Sequence, residues 1–197
     1  MERHERSPAP IQIAVIVGST RDGRRGRDVA DWYVDQVHGS ADVEIELIDL
    51  VDHRLPERFT FADDGDVAGF RARLDRADAF VVVTPEYNHS YPASLKLAID
   101  YGKDEWRRKP VAFVSYGGVS GGLRAVEHLR GVFAELHAVG LRDSVSFANA
   151  WEQFDEQGRL RYPERAERSM ATMLKRLAWW EQALRDARLA RDYGAAA

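Results

Sequence analysis

Apolar and polar positions alternate along this chain with two different periods. Nearly continuous apolar runs at Ile11–Val17, Ala79–Thr84 and Val111–Ser115 have the length and β-branched content of strands covered on both faces. Val43–Leu50 adds a strand in which Val43, Ile45 and Leu47 alternate before Ile48 and Leu50, and Ser144–Ala148 is a fifth, fainter candidate. Between the runs the period lengthens to that of a helix. Asp28–His38 aligns Val29, Trp32, Tyr33 and Val37, and Val67–Ala77 aligns Phe70, Leu74 and Ala77. Pro92 opens a helix through Ser94–Tyr101, with proline in the first turn. Gly121–Val139 carries Leu123, Val126, Leu129, Val132, Phe133 and Leu136. Glu164–Arg191 carries Met170, Met173, Leu174, Leu177, Trp180 and Leu184, a stripe read as core. Strand and helix patterns in alternation predict an open, doubly wound α/β fold.

The turns after strands one, three and four are chemically unusual. The first is Gly18-Ser-Thr-Arg-Asp-Gly-Arg-Arg-Gly26. A buried strand, a Gly/Ser/Thr/Arg turn and a helix start together make a phosphate site, because the helix offers unpaired N–H groups and a partial positive charge. Ser19 and Thr20 add hydroxyl donors, and Arg21, Arg24, Arg25 and Arg27 add charge-assisted ones. The turn is neither a P-loop, which needs a Gly-Lys-Ser/Thr, nor a G-x-G-x-x-G dinucleotide turn. A mononucleotide phosphate bound without metal is the simplest remaining ligand. The second turn is Pro85-Glu-Tyr-Asn-His-Ser-Tyr-Pro92 and the third Tyr116-Gly-Gly-Val-Ser-Gly-Gly122. In a parallel sheet ordered 2-1-3-4-5 these three share the carboxyl edge at the switch point, where ligands bind. The loops after strands two and five carry no comparable signal. Gly117, Gly118, Gly121 and Gly122 allow backbone donors to approach a ligand closely. Tyr87 and Tyr116 suit a flat ring, and Asn88 both donates and accepts.

Composition narrows the classes. The 197 residues suit one domain running from 11 to 192, with polar tails at 1–10 and 193–197. A net charge of −4 gives no basis for general nucleic-acid binding. Without cysteine there are neither disulfides nor thiolate chemistry, and no metal site is expected. No apolar run approaches the ~20 residues of a membrane span, and MERHERSPAP has no apolar signal core, so a cytoplasmic protein is expected. Residues 51–66, around Asp63, Asp64 and Asp66, read as a solvated acidic loop. Gly118-Val-Ser120-Gly-Gly122 matches the G-x-S-x-G of a hydrolase elbow. That triad needs a later acid and then a histidine, but the last histidines, His128 and His137, fall in the very next helix. His89 reads as a surface histidine.

At these turns the chain resembles the NADPH-dependent FMN reductase family, whose relatives include quinone, azo-dye and chromate reductases. The carriers are Gly18-Ser-Thr-Arg-x-Gly-Arg-x-Gly26, Thr-Pro-Glu-Tyr-Asn88 with Tyr91-Pro-Ala-Ser-Leu-Lys-x-Ala-Ile-Asp100, and the glycine run 117–122, spanning roughly Ile11 to Ala148. The resemblance implies a flavodoxin-like, doubly wound five-stranded parallel sheet of order 2-1-3-4-5. It implies an FMN-dependent NAD(P)H oxidoreductase, with hydride passing from NADPH or NADH to N5 of FMN and on to a small acceptor: flavin, quinone, azo compound or metal oxyanion. A flavodoxin-like electron carrier and an FMN-binding sensor without turnover are the alternatives. Ser19, Arg21 and Arg24 would hold the phosphate, with Gly26 at the helix start and the choice among Arg24, Arg25 and Arg27 open. Pro85, Glu86, Tyr87 and Asn88 would line the flavin, largely through backbone. Ser115, Tyr116, Gly117, Gly118 and Gly121 would bound the isoalloxazine ring. The stretch from Pro92 to Trp106 would build a homodimer or homotetramer.

Overall fold

The computed structural model of the chain describes residues 10–38, 42–59 and 65–194. Five strands form one all-parallel sheet in the order β2-β1-β3-β4-β5: β1 (Ile11–Val17), β2 (Val43–Asp49), β3 (Ala79–Pro85), β4 (Pro110–Gly117) and β5 (Val139–Ala148). The helices are α1 (Gly26–Val37), α2 (Gly65–Arg76), α3 (Ala93–Tyr101), α4 (Leu123–Glu135), α5 (Ala150–Gln153) and α6 (Glu164–Ala190). Neighbouring strands lie in step, with Val15 level with Leu47 on one side and Val81 on the other.

Alternation along each central strand splits the core in two. Ile13, Val15 and Val17 of β1 join Val81, Val83 and Val114 beneath α1 and α6, where Trp32, Tyr33, Met170, Met173 and Leu177 cover them. Ala14 and Ile16 face the other way with Phe80, Val82 and Phe113, beneath Phe70 and Leu74 of α2, Leu95 and Ile99 of α3, and Phe133 of α4. Both faces being covered, the apolar runs of β1, β3 and β4 are unbroken.

Several boundaries differ from the sequence expectation. β5 begins at Val139 rather than Ser144, because as an edge strand it buries only alternate residues and carries a register shift opposite Val111–Phe113. Arg130 of α4 donates to the carbonyls of Leu141 and Arg142 in that irregular stretch. α4 stops at Glu135 rather than Val139, and His137 has a left-handed backbone (φ +56°). In α6 the inward register runs Met170, Met173, Leu177, Glu181, so Trp180 is turned out and a glutamate occupies the core-facing place. Trp106, expected at a subunit interface, is completely buried: its indole N–H donates to the Ile99 carbonyl at 3.0 Å, and its ring packs on Phe80 and Phe133. Asp66 lies in the first turn of α2, where an acid suits a helix start. Asp63, Asp64 and most of both tails lie outside the described residues. Among the described residues no helix is long and apolar enough to cross a membrane.

Candidate functional site

The turn after β1 is held from behind and open in front. Gly18 donates to the Val83 carbonyl (2.9 Å) and accepts from Ser94 Oγ (2.8 Å). A Cβ at Gly18 would stand 3.0 Å from Leu95 and 3.2 Å from the Val83 carbonyl, so glycine lets the chain pass there. Ser19 is buried and shares a 2.6 Å hydrogen bond with the Tyr87 hydroxyl. Beyond it Thr20, Arg21, Asp22 and Gly23 are exposed. Gly26 is buried at the start of α1, where a Cβ would stand 2.8 Å from the Tyr116 hydroxyl. Among the described residues no side chain caps this helix, so its first N–H groups remain available to an anion.

The arginines of the turn are not equivalent. Arg24 pairs at 2.6 Å with Asp49, a carboxylate only 4% exposed at the end of β2. Arg25 and Arg27 pair with Asp28 and Asp31 along the surface of α1. Arg21 makes no ion pair among the described residues, and its guanidinium lies 5.8 Å from the centre of the Tyr87 ring. The turn thus presents one uncommitted cation and a second fixed by a buried carboxylate.

The second loop continues β3. Glu86 donates its N–H to the Tyr116 carbonyl at 3.0 Å. Tyr87 and Ser90 exchange two backbone hydrogen bonds around Asn88 and His89, both left-handed (φ +49° and +70°), as a two-residue I′ turn requires. Asn88 and His89 therefore sit exposed at its tip. The Glu86 carboxylate turns to the third loop, accepting from Ser120 Oγ (2.6 Å), Arg124 Nη1 (2.7 Å) and the Arg124 N–H (3.2 Å). Its burial opposes ionisation, but these hydrogen bonds outweigh that and hold the carboxyl below the usual glutamate range. Ser120, the serine of the hydrolase-like motif, is thereby engaged by a carboxylate, while His128 bonds Ser90.

In the third loop the glycines divide by task. Gly121 and Gly122 are left-handed, and a Cβ at Gly122 would stand 2.8 Å from the Tyr116 nitrogen, so both serve the turn. Ser115 and Ser146 each donate to the Gly121 carbonyl and secure it. Gly117 and Gly118 instead face a cleft. Tyr116 reaches below the first turn, and its buried hydroxyl has no hydrogen-bond partner among the described residues; the neighbouring Ser19 is engaged with Tyr87. Burial pushes the Tyr116 phenol up.

These loops enclose about 380 Å³ at the carboxyl edge. Arg21, Arg24, Pro85, Glu86, Tyr87, Tyr116, Gly117 and Gly118 line it. Ser19, Gly26, Ser115 and Gly121 are buried outside that lining, and Asn88 stands at the turn tip. Sequence reasoning missed Ala150 and Trp151, which line the cleft from α5. The loop after β5 is therefore part of it, joined to the glycine loop by the Asn149 N–H to the Gly118 carbonyl (3.0 Å). A large aromatic just past a strand end was the available signal. A larger groove of about 860 Å³ between α4, β5 and α6 lies away from these loops.

Comparison with known proteins gives the family. Residues 11–152 match the family described as NADPH-dependent FMN reductase. The chain is 34% identical over 178 residues to NAD(P)H:quinone oxidoreductase of Solanum tuberosum, covering 83% of this chain and 90% of that one. It is 29% identical to 2-hydroxy-1,4-benzoquinone reductase of a Burkholderia species, covering 86% and 96%. Among solved structures it superposes on FerB, a flavoenzyme NAD(P)H:(acceptor) oxidoreductase of Paracoccus denitrificans, with a TM-score of 0.72 at 25% identity, covering 87% and 98%. The chain belongs to the NADPH-dependent FMN reductase family, oxidoreductases that work with FMN and NAD(P)H.

Proposed function

We propose that the carboxyl-edge cleft holds FMN and that the chain is an NAD(P)H:acceptor oxidoreductase acting on small quinone-type molecules. The observation that carries this reading is one cleft joining an anion site to a flat, backbone-lined slot. At the anion end, the uncapped start of α1 and the unpaired Arg21 fit a phosphate, with Arg24 steadied beside it by Asp49. At the other end the backbone of Gly117 and Gly118 lines the cleft, the bare Gly118 Cα leaves room for a ring edge, and Tyr87 supplies an aromatic neighbour. A bound flavin would supply the two-electron chemistry that links the nicotinamide to the acceptor. The side chains bind and orient. Glu86 ties the second loop to the third through Ser120 and Arg124 and so fixes the width of the slot. Ser19 holds the Tyr87 phenol in place. None of these groups is poised as a nucleophile. Quinones as acceptors are supported by the names of the plant and Burkholderia relatives.

The cofactor-binding unit runs from 11 to 192. The outer face of α3, with the exposed Ala93 and Asp100, is the surface for a second copy, and the cytoplasm suits a reaction that draws on NAD(P)H. The test is the absorbance spectrum of the chain reconstituted with FMN and followed without oxygen as NADPH and then NADH are added. Bound flavin that bleaches in a single step is expected. Bound flavin that stays oxidised with both donors would leave a carrier or sensor instead, and absence of bound flavin would refute the site.

A further inference from the structure

The loop after β5 offers the cleft a large aromatic surface that this chain leaves uncovered. Trp151 is 58% exposed although it stands on a fixed platform. Ala150 before it is buried, and Phe154 after it packs on Phe147 with ring centres 5.1 Å apart. The Asn149 N–H bonds the Gly118 carbonyl, and the Gln153 amide returns to the Ala148 carbonyl. Only the indole is turned out. Its outer edge lies 3.7 Å from where a Gly118 Cβ would be, so it borders the strip of bare backbone in the slot. Trp179 and Trp180, also exposed, meet edge to face on α6, whereas Trp151 has no ring partner among the described residues. A flat apolar surface held rigidly beside a glycine-floored slot is suited to packing against a conjugated ring.

We propose that Trp151 is a ring-binding residue whose indole packs against the isoalloxazine of FMN, forming with Tyr87 and the Gly117–Gly118 backbone the walls of the slot. This rests on the FMN reading above. Because the contact is with the ring and not the phosphate, it contributes equally to FMN and to riboflavin.

The experiment titrates the flavin-free full chain with FMN and with riboflavin. Trp151→Ala is expected to weaken both by about tenfold with their ratio unchanged, and Trp151→Phe to stay within about threefold of the parent. FMN should also quench a larger share of tryptophan emission in the parent than in Trp151→Phe, and unchanged thermal melting would verify that both variants fold. Parent-like affinity in Trp151→Ala, or a loss confined to FMN, overturns the proposal. A parent chain that binds neither flavin overturns the FMN reading itself.

Discussion

The two edges of the sheet are built from different materials. At the carboxyl edge, main-chain groups do most of the work: glycines, left-handed Asn88, His89 and Asn149, and an uncapped helix start, with Arg21 in no ion pair among the described residues. At the amino edge, side chains knit the elements together. Arg185 bridges Asp78 (2.8 Å) and the fully buried Glu181 (2.7 Å), Arg188 reaches Glu181 and the Arg108 carbonyl, and Asp78 accepts from the Gln12 N–H. Lys109 Nζ donates to the Leu74 and Asp75 carbonyls at the end of α2. One end is left with unmet hydrogen-bonding capacity, which is what recognition requires. At the other end most such capacity is consumed within the chain, which ties β1, β3, β4, α2 and α6 into one frame.

If this division holds, damage at one edge leaves the other intact. The largest effect is expected from Glu181→Ala, which removes the buried carboxylate that Arg185 and Arg188 share and leaves them only Asp78 and the Arg108 carbonyl: about 3 kcal/mol of stability lost in urea unfolding, with FMN affinity unmoved. A matching loss of FMN affinity in the folded variant would show that the edges are coupled. Arg21→Ala is expected to do the reverse. FMN affinity should fall by roughly 1.5–3 kcal/mol, ten- to more than a hundredfold, with riboflavin binding and the stability of the flavin-free chain unaltered. Unchanged FMN affinity would remove Arg21 from the site.

The smallest effect sharpens the contrast through pH. Burial lowers the Lys109 pKa from 10.5 to about 8, with Arg188 acting in the same direction against Asp75, Asp78 and Glu105. Between those values the unfolded chain keeps a proton that the folded chain has released. The contribution of Lys109 to stability therefore rises as pH climbs from 8 to 10.5 and is lowest below that window. The unfolding free energy of the parent relative to Lys109→Met should rise across the window by on the order of 1 kcal/mol, given the partial exposure of the ammonium. A flat difference would mean that the charge is not held against burial.

The frame was more legible in the sequence than the cleft. β1 matches its apolar run residue for residue, and β3 and β4 lie within two residues of theirs, since strands buried on both faces leave an uninterrupted record. β5 was half hidden because Arg142 and Asp143 of an edge strand face water or other side chains. Apolarity alone places Trp180 in the core, but the helical register belongs to Glu181, whose burial depends on arginines from the following turns. Trp106 failed for the opposite reason: nothing local indicates that an aromatic beyond a helix end folds back beneath Phe80 and Phe133. The family resemblance, by contrast, rested on turn residues and is borne out. Which arginine is held and which is unpaired depended on Asp49, 25 residues away from Arg24, and pairing at that distance leaves no periodic trace.

The irregular stretch of β5 bears on the solubility of the whole molecule. An edge strand with a regular ladder is a template onto which another extended chain can pair, and that is how many sheet proteins begin to aggregate. Here the ladder is broken at Leu141–Asp143, the Arg130 guanidinium has claimed two of its carbonyls, and Arg142 projects 91% exposed. A strand arriving at this rim meets a kink and a cation in place of a row of matching donors and acceptors. The last strand of the sheet therefore ends its growth.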